Sequence, residues 1–343
     1  MKEYAKFAAD KAIELLNIDS PSGYTRDAIE WVSNEFRSLG FDVQITKKGA
    51  ALICLGGSGD NGVLFETHTD TLGGIVAEVK SNGRLRISNI GGLCANNVET
   101  ENVRVRTRSG KVYEGTLQLV NASLHVNQEI DKTERNFDNL EVVLDEDVKT
   151  SEDTRKLGID VGDLVCPFPR AHITDSGYIK SRFLDDKLSV CCLLGLAKYI
   201  HDSKIALSRK VYGFVTVFEE VGHGGSSSIP DDVTDAISID MGCVGTGLQC
   251  TERQVSICVK DSGGPYNYDL TTELIEAAKK EKADYAVDVY PNYGSDVEAT
   301  LRSGYDVRHG LIGPGVYASH GYERSHLDGV LATLKVLKGF LNI

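Results

Sequence analysis

Five short polar clusters stand where apolar runs end. Val63-Leu64-Phe65-Glu66-Thr67 leads straight into His68-Thr69-Asp70. A His with an Asp two positions later, at a strand's end, presents both side chains on one side of the chain. The imidazole can then ligate a metal while the carboxylate bonds the other ring nitrogen, although a turn His beside a capping Asp has the same spelling. Phe183-Leu184-Asp185-Asp186-Lys187 precedes a helical stretch; one Asp there is ordinarily an N-cap, and two exceed what a cap requires. Val211 to Phe218 reads as a strand buried on both faces and runs into Glu219-Glu220-Val221-Gly222-His223-Gly224-Gly225. Neighbouring residues on a strand point to opposite sides, so Glu219 and Glu220 are expected to divide the work. One ligates a metal and the other faces the substrate as general base. The glycine-rich loop has neither the Lys nor the spacing of a phosphate-binding loop. Ala236 to Ile239 delivers Asp240, and Gly313-Pro314-Gly315 with Tyr317-Ala318-Ser319 leads to His320 in a loop. Taken singly, Asp240 reads as a turn former and His320 as a surface histidine.

Together the clusters say more. In an open α/β sheet, ligands collect beyond the carboxyl ends of the strands, where two His and the carboxylates of Asp185, Glu220 and Asp240 would meet. That donor mix suits Zn²⁺, Mn²⁺ or Co²⁺. One Asp bridging two ions would give each a His, a terminal carboxylate and the shared carboxylate, with an open position for a bridging water. Two divalent ions also balance three carboxylates and a hydroxide, whereas the carboxylates alone would repel one another and protonate. Glu219 is then free to take the water's proton, and Asp70 to steady His68.

The elements that position these residues follow from the pattern of the chain. Its 343 residues, 41% hydrophobic and 25% charged, describe an ordinary globular protein with ample material for a core. Thirty-seven Lys and Arg against fifty Asp and Glu leave a net charge of −13, which excludes the electrostatic footprint of a nucleic-acid binder. No apolar run approaches the ~20 residues that span a bilayer, and the N-terminus lacks a signal-peptide core. Eight Cys without a CxxC pair read as free thiols in a reducing cytoplasm. Helical spacing marks residues 4–16 and 25–39, the latter ending at Gly40; short strands follow at 41–46, 51–55 and 63–66. From Gly73 to about Phe168 the texture is short β runs with turn residues, apart from a short helix near 150–157: a small all-β unit of ~100 residues. Helices are expected again at 184–199, 270–282 and 326–341, with strands at 210–218, 236–240 and 286–290. The expected fold class is therefore α/β, a three-layer sheet-and-helix catalytic domain formed by 1–71 and 170–343. A small β-barrel-like domain, 72–169, is inserted into it.

In order and context the clusters resemble the tetrahedral aminopeptidase (glutamyl aminopeptidase) family of di-metal metallopeptidases, over nearly the whole chain. The family's HxD is similar to His68–Asp70, its LDD/LDN bridge to Leu184–Asp186, its EEVG to Glu219–Gly222, its metal Asp to Asp240 and its SH to Ser319-His320. The resemblance implies that Asp185 bridges two metals, His68 and Asp240 hold one, Glu220 and His320 hold the other, and Glu219 is the general base. It also implies that the β insert is a dimerisation module and that dimers assemble into a hollow dodecamer. Three features depart from the family pattern. His223-Gly224-Gly225 follows EEVG where an apolar or basic residue and then Arg-Gly-Ala is expected, and Thr71-Leu72-Gly73 follows HxD where Glu-Val-Gly is common. Gly294-Ser295-Asp296 stands near the family's Gly-Thr-Asp, so Asp296 is either a contact for the substrate's free amine or a helix N-cap. The expected activity is removal of N-terminal residues from peptides or small amides. The rivals are a di-metal amidohydrolase of acylated amino acids and a non-catalytic scaffold with a decayed site. A glycosidase needs carboxyls ~5–10 Å apart across a sugar, for which the neighbours Glu219 and Glu220 are poorly placed.

Overall fold

Lys2–Leu16 (α1) buries Tyr4, Ala5, Ala8, Ala9, Ala12, Leu15 and Leu16, the single stripe that a 3.6-residue period lays against a core. Arg26–Ser38 (α2) does the same with Ala28, Ile29, Val32 and Phe36, and Gly40 at φ 82° turns the chain out of it. Asp42–Ile45 (β1) and Ala51–Gly56 (β2) pair antiparallel; Gly62–His68 (β3) follows, buried at every position. The structure, a computed structural model, describes residues 1–343. By contacts the chain forms two compact units, Met1–Asp70 with Arg170–Ile343, and Thr71–Pro169.

The second unit consists of β4 (Gly73–Val79), β5 (Leu85–Ile90), a short α3 (Ala95–Val98), β6 (Asn102–Arg106), β7 (Val112–Leu119), β8 (Leu140–Leu144), α4 (Ser151–Lys156) and β9 (Leu164–Pro167). The strands close into a barrel in the order β4-β5-β8-β7-β6-β9, because β9 pairs with both β6 and β4. Closure leaves no open edge. Alternate residues such as Val103, Val105, Leu117 and Leu119 fill the interior. The buried Glu141 is met by Lys80 at 2.7 Å and Arg84 at 2.5 Å.

The first unit resumes with β10 (His172–Ile173), β11 (Tyr178–Ser181), α5 (Leu184–Ser203), β12 (Val211–Thr216), β13 (Val233–Ile239), β14 (Gly242–Val244) and β15 (Val255–Lys260). It ends with α6 (Tyr268–Lys280), β16 (Tyr285–Val289), α7 (Asp296–Arg302), β17 (Arg308–Tyr317), β18 (Glu323–His326) and α8 (Leu327–Phe340). Its twelve-stranded sheet follows the path β1-β2-β12-β3-β13-β17-β18-β11-β10, with β14 and β15 also pairing β17 and β16 pairing β15. The centre, β12-β3-β13-β17, is parallel throughout, which requires cover on both faces. The cover is visible at two adjacent residues of β3, whose side chains point to opposite faces. Phe65 packs edge-on against Phe340 of α8, while Glu66 accepts a hydrogen bond from Thr300 of α7. The architecture is the α/β three-layer arrangement with a barrel-forming insert that the alternation of elements predicts.

Two local expectations need correction. The strand ending at Phe218 in the sequence reading stops at Thr216, and Glu219–Val221 forms a single 3₁₀ turn. Glu219 and Glu220 therefore diverge around a turn and not across a pleat. Gly313-Pro314-Gly315, read as part of a loop, lies within β17. The glycine is there for close approach: a Cβ on Gly313 would sit 1.3 Å from the Asp240 carbonyl oxygen.

Candidate metal centre

Parallel register places the ends of β3, β12 and β13 together. His68, the last residue of β3, lies opposite Thr216, the last of β12, and Asp240 follows β13 directly. Asp185 arrives from the chain entering α5, where Asp185 and Asp186 have non-helical dihedrals and their peptide bond is cis. Left-handed backbone at bulky residues makes the sharp bends: Phe183 at φ 67° precedes the Asp pair and Phe218 at φ 74° precedes the Glu pair. Such residues cost roughly 1–3 kcal/mol each and concentrate at functional sites.

Asp185 is the centre of the cluster. One of its oxygens lies 3.1 Å from His68 Nε2 and the other 3.5 Å from His320 Nε2. Two groups of ligand-bearing atoms, each within 4.8 Å of one another, share it: His68, Asp185 and Asp240, and Asp185, Glu220 and His320. The structure thus brings together all five residues named as ligands from sequence. Glu219 stands beside them, its Oε2 3.6 Å from His68 Nε2. Asp186, fully buried, accepts the His68 backbone N–H at 3.1 Å and leaves Oδ1 without a partner.

Asp70 departs from the sequence reading in its bonding. His68 Nδ1 meets the Asp70 backbone carbonyl at 3.0 Å, and the carboxylate is 3.6 Å away. The carboxylate instead accepts the N–H groups of Glu219 at 3.1 Å and Glu220 at 3.3 Å, because the 3₁₀ turn points its first two amides at it. Asp296 is the first residue of α7, after the N-cap Ser295. It is buried, accepts from Gly225 N at 2.7 Å and from the Thr216 hydroxyl, and lines the same cavity as the cluster.

That cavity, about 400 Å³, is lined by Asp185, Glu219, Glu220, Asp240 and His320 with Met241, Cys243, Tyr293 and Arg302 among others. Its electrostatics are one-sided. Burial, and then the Asp185 charge, push Asp240 up to about 7. Burial with neighbouring carboxylates raises Glu219 and Glu220 well above the ordinary range. Asp185 is lowered: burial opposes this, but hydrogen bonds from His320 and His68 prevail. Burial alone would lower His68, yet the carboxyls of Glu219, Asp185 and Asp70 raise it strongly. Arg302 is the one Arg or Lys in the lining; its side chain is 61% exposed and 3.8 Å from Glu298. Buried carboxylates lacking cationic partners protonate or hold metal, and oxygen and imidazole donors of this kind fit divalent cations.

Three supporting residues escaped the sequence reading. Glu323 accepts the backbone N–H of both Asp185 at 3.1 Å and His320 at 2.9 Å, and burial followed by the Asp185 charge raises it to about 8. Lys48 donates to the carbonyls of His223 and Gly224, each at 2.6 Å, and to Ser226 at 3.0 Å, pinning the glycine loop. Ser22 donates to Asp70 at 2.5 Å. Glu323, three residues past His320, and Ser22, inside a Pro-Ser-Gly turn, had local signals in the sequence; Lys48 had none.

A parallel α/β sheet that gathers imidazoles and buried carboxylates beyond its strand ends presents donors of the kind that hold divalent ions for hydrolysis. Residues 49–336 match the family model of the M42 glutamyl aminopeptidases. The chain is a member of that family, and hence a metal-dependent aminopeptidase. It is 43% identical over 325 residues to YhfE of Bacillus subtilis, a protein whose name assigns it provisionally to the aminopeptidases, covering 94% of each. The fold resembles that of the aminopeptidase APDkam598 from Desulfurococcus kamchatkensis, with a TM-score of 0.88, 22% identity and coverage of 98% and 95% of the two chains. It is also similar to the TET1 peptidase of Pyrococcus horikoshii, described as assembling into a tetrahedron or a large octahedral shell. That match has a TM-score of 0.84, 22% identity and coverage of 96% and 98%. No helix is long and apolar enough to cross a membrane, and all eight cysteines are unpaired.

Proposed function

We propose that this aminopeptidase removes N-terminal residues from peptides at a centre of two divalent ions, Zn²⁺ or alternatively Co²⁺ or Mn²⁺. His68 and Asp240 would hold one ion, Glu220 and His320 the other, and Asp185 both. Divalent ions supply Lewis acidity toward the scissile carbonyl and acidify a water. Glu219 takes the proton of the attacking water and delivers it to the leaving amine. The Asp70 carbonyl orients His68, and the Asp70 carboxylate holds the turn that carries Glu219. Asp296 retains acceptor capacity beyond Thr216 and Gly225, which it offers to the substrate's ammonium. The observation that carries the reading is the pair of donor groups joined through Asp185, with Glu219 beside them but in neither.

Asp296 and Glu219, the cavity carboxylates that would hold no ion, favour a free amine over an acylated one, since an ammonium gains from nearby carboxylates and a neutral amide does not. Aminoacyl anilides should therefore be hydrolysed by metal-reconstituted protein, and their N-acetyl counterparts should react at least about 100-fold more slowly, by roughly 2.7 kcal/mol in the transition state. Equal kcat/KM for the two series would favour the amidohydrolase. We also propose a homo-oligomer built from dimers through the barrel, extending to a dodecamer, in the cytoplasm. A monomer mass by light scattering would refute the assembly.

Glu323→Gln is expected to weaken metal binding by about 10- to 100-fold, the scale on which hydrogen-bond partners of ligands act. The amide offers one acceptor where two backbone N–H groups need one each. Chelator-competition titration reads the change; wild-type affinity would show that Glu323 does not order the ligands.

A further inference from the structure

The connector between α1 and α2, Asn17 to Thr25, touches the site's surroundings at three points. Lys187 Nζ donates to the carbonyl of Ile18 at 2.6 Å, and Ser20 Oγ donates to the carbonyl of Thr69 at 2.7 Å. Ser22 Oγ donates to Asp70 Oδ2 at 2.5 Å. The third differs in kind, because its partner is a side chain that in turn holds other groups. Asp70 is fully buried, and its Oδ1 accepts Glu219 N while its Oδ2 accepts both Ser22 and Glu220 N.

The local sequence is built to present this hydroxyl. Tyr24 N closes a turn on the Pro21 carbonyl at 2.8 Å. Gly23 occupies its third position at φ 93°, the positive-φ place that a type II turn reserves for glycine. Ser22 is thereby held in the second position, 8% exposed, with its side chain on Asp70. An aspartate carboxylate turns about a broad χ2 torsion and keeps its orientation only while its oxygens are bonded. Without the serine, Oδ2 retains the 3.3 Å contact to Glu220 N alone.

We infer that Ser22 is a positioning residue of the peptidase reaction: through Asp70 it sets the orientation of the Glu219–Glu220 turn. The inference rests on the reading of Glu219 as general base and extends it to a residue almost two hundred positions away in the chain. Placement of the proton-transferring oxygen affects the transition state more than substrate binding, so the effect should fall on kcat.

In fully metal-loaded enzyme assayed on an aminoacyl anilide, Ser22→Ala should lower kcat about 10-fold and leave KM within about twofold. Ser22→Thr, which keeps the hydroxyl, should recover most of the loss. In the Asp70→Ala background, adding Ser22→Ala should cost less than about twofold, because the serine then has no carboxylate to hold. A merely structural serine would instead add its cost in both backgrounds and lower metal content and thermal midpoint together with kcat. Should Ser22→Ala fail to fold, Ser22→Gly removes the hydroxyl without adding bulk and must show the same kcat loss. Wild-type kcat in Ser22→Ala or Ser22→Gly, or additive losses with Asp70→Ala, overturns the inference. Its failure is distinguishable from failure of the underlying reading: Glu219→Gln at wild-type turnover removes the base assignment whatever Ser22 does. A fully active Ser22 variant of an enzyme that Glu219→Gln inactivates removes only the positioning role.

Discussion

Glu219→Gln is expected to keep wild-type metal content and lose about 10²- to 10⁴-fold in kcat. Glu219 belongs to neither donor group, so the amide removes no ligand. The substitution preserves volume, and the bond to Asp70 comes from the Glu219 backbone N–H, which the variant retains. What disappears is the ability to accept a proton from water and pass it to the leaving amine. Without bound ions, burial and the surrounding carboxylates raise Glu219 above the usual carboxyl range; nearby divalent ions oppose that rise and favour the ionised form that accepts a proton. Elemental analysis beside steady-state kinetics decides the matter: undiminished hydrolysis of an aminoacyl anilide ends the base assignment, and a loss proportional to missing metal reassigns Glu219 as a ligand.

Asp185→Ala is expected to remove both ions and all measurable turnover. Asp185 is the one residue common to the two groups, and its two oxygens face different imidazoles. A lost partner of a ligand costs about 10- to 100-fold in affinity, and loss of the shared ligand should exceed that at both positions. Asp240→Ala and His320→Ala should each impair one position more than the other. The stability readout is independent of catalysis. Ligands that bind only the folded state stabilise it, by ~2.7 kcal/mol at a hundredfold excess over Kd. Chelation should therefore lower the thermal midpoint of the wild type and leave that of Asp185→Ala unchanged. An Asp185→Ala protein that still carries two ions per chain would show that the carboxylate is not shared.

Much of the scaffold is written locally. The apolar stripe of α1, the buried run of α5 and the closing α8 follow helical periodicity. The runs that become β3, β12 and β13 are short, apolar and bounded by turn residues. The shift to short β runs after Gly73 and the return of helices near residue 184 mark where one texture interrupts another. The residue types at the strand ends, His68 to Asp70, Asp185, Glu219 with Glu220, Asp240 and His320, already name a hard-donor chemistry. Strand β17 was hidden because Gly313, Pro314 and Gly315 have turn composition. In the fold, Gly313 answers to the backbone of Asp240 and Gly315 to that of Thr251, contacts no local pattern contains.

By itself, then, the sequence determined the helical and extended periods, the order of elements and the donor atoms available, because these depend on neighbours a few residues apart. The tertiary structure alone decided their convergence. Parallel pairing of β3 with β12 and β13 sets the strand ends side by side. Left-handed Phe183 and Phe218 bend the Asp and Glu pairs inward. Bonds such as Glu323 to Asp185, Lys48 to the glycine loop and Ser22 to Asp70 join residues far apart in the chain. Such contacts form only when chain closure and packing fix both partners at once, so their geometry belongs to the whole fold and not to any segment of it.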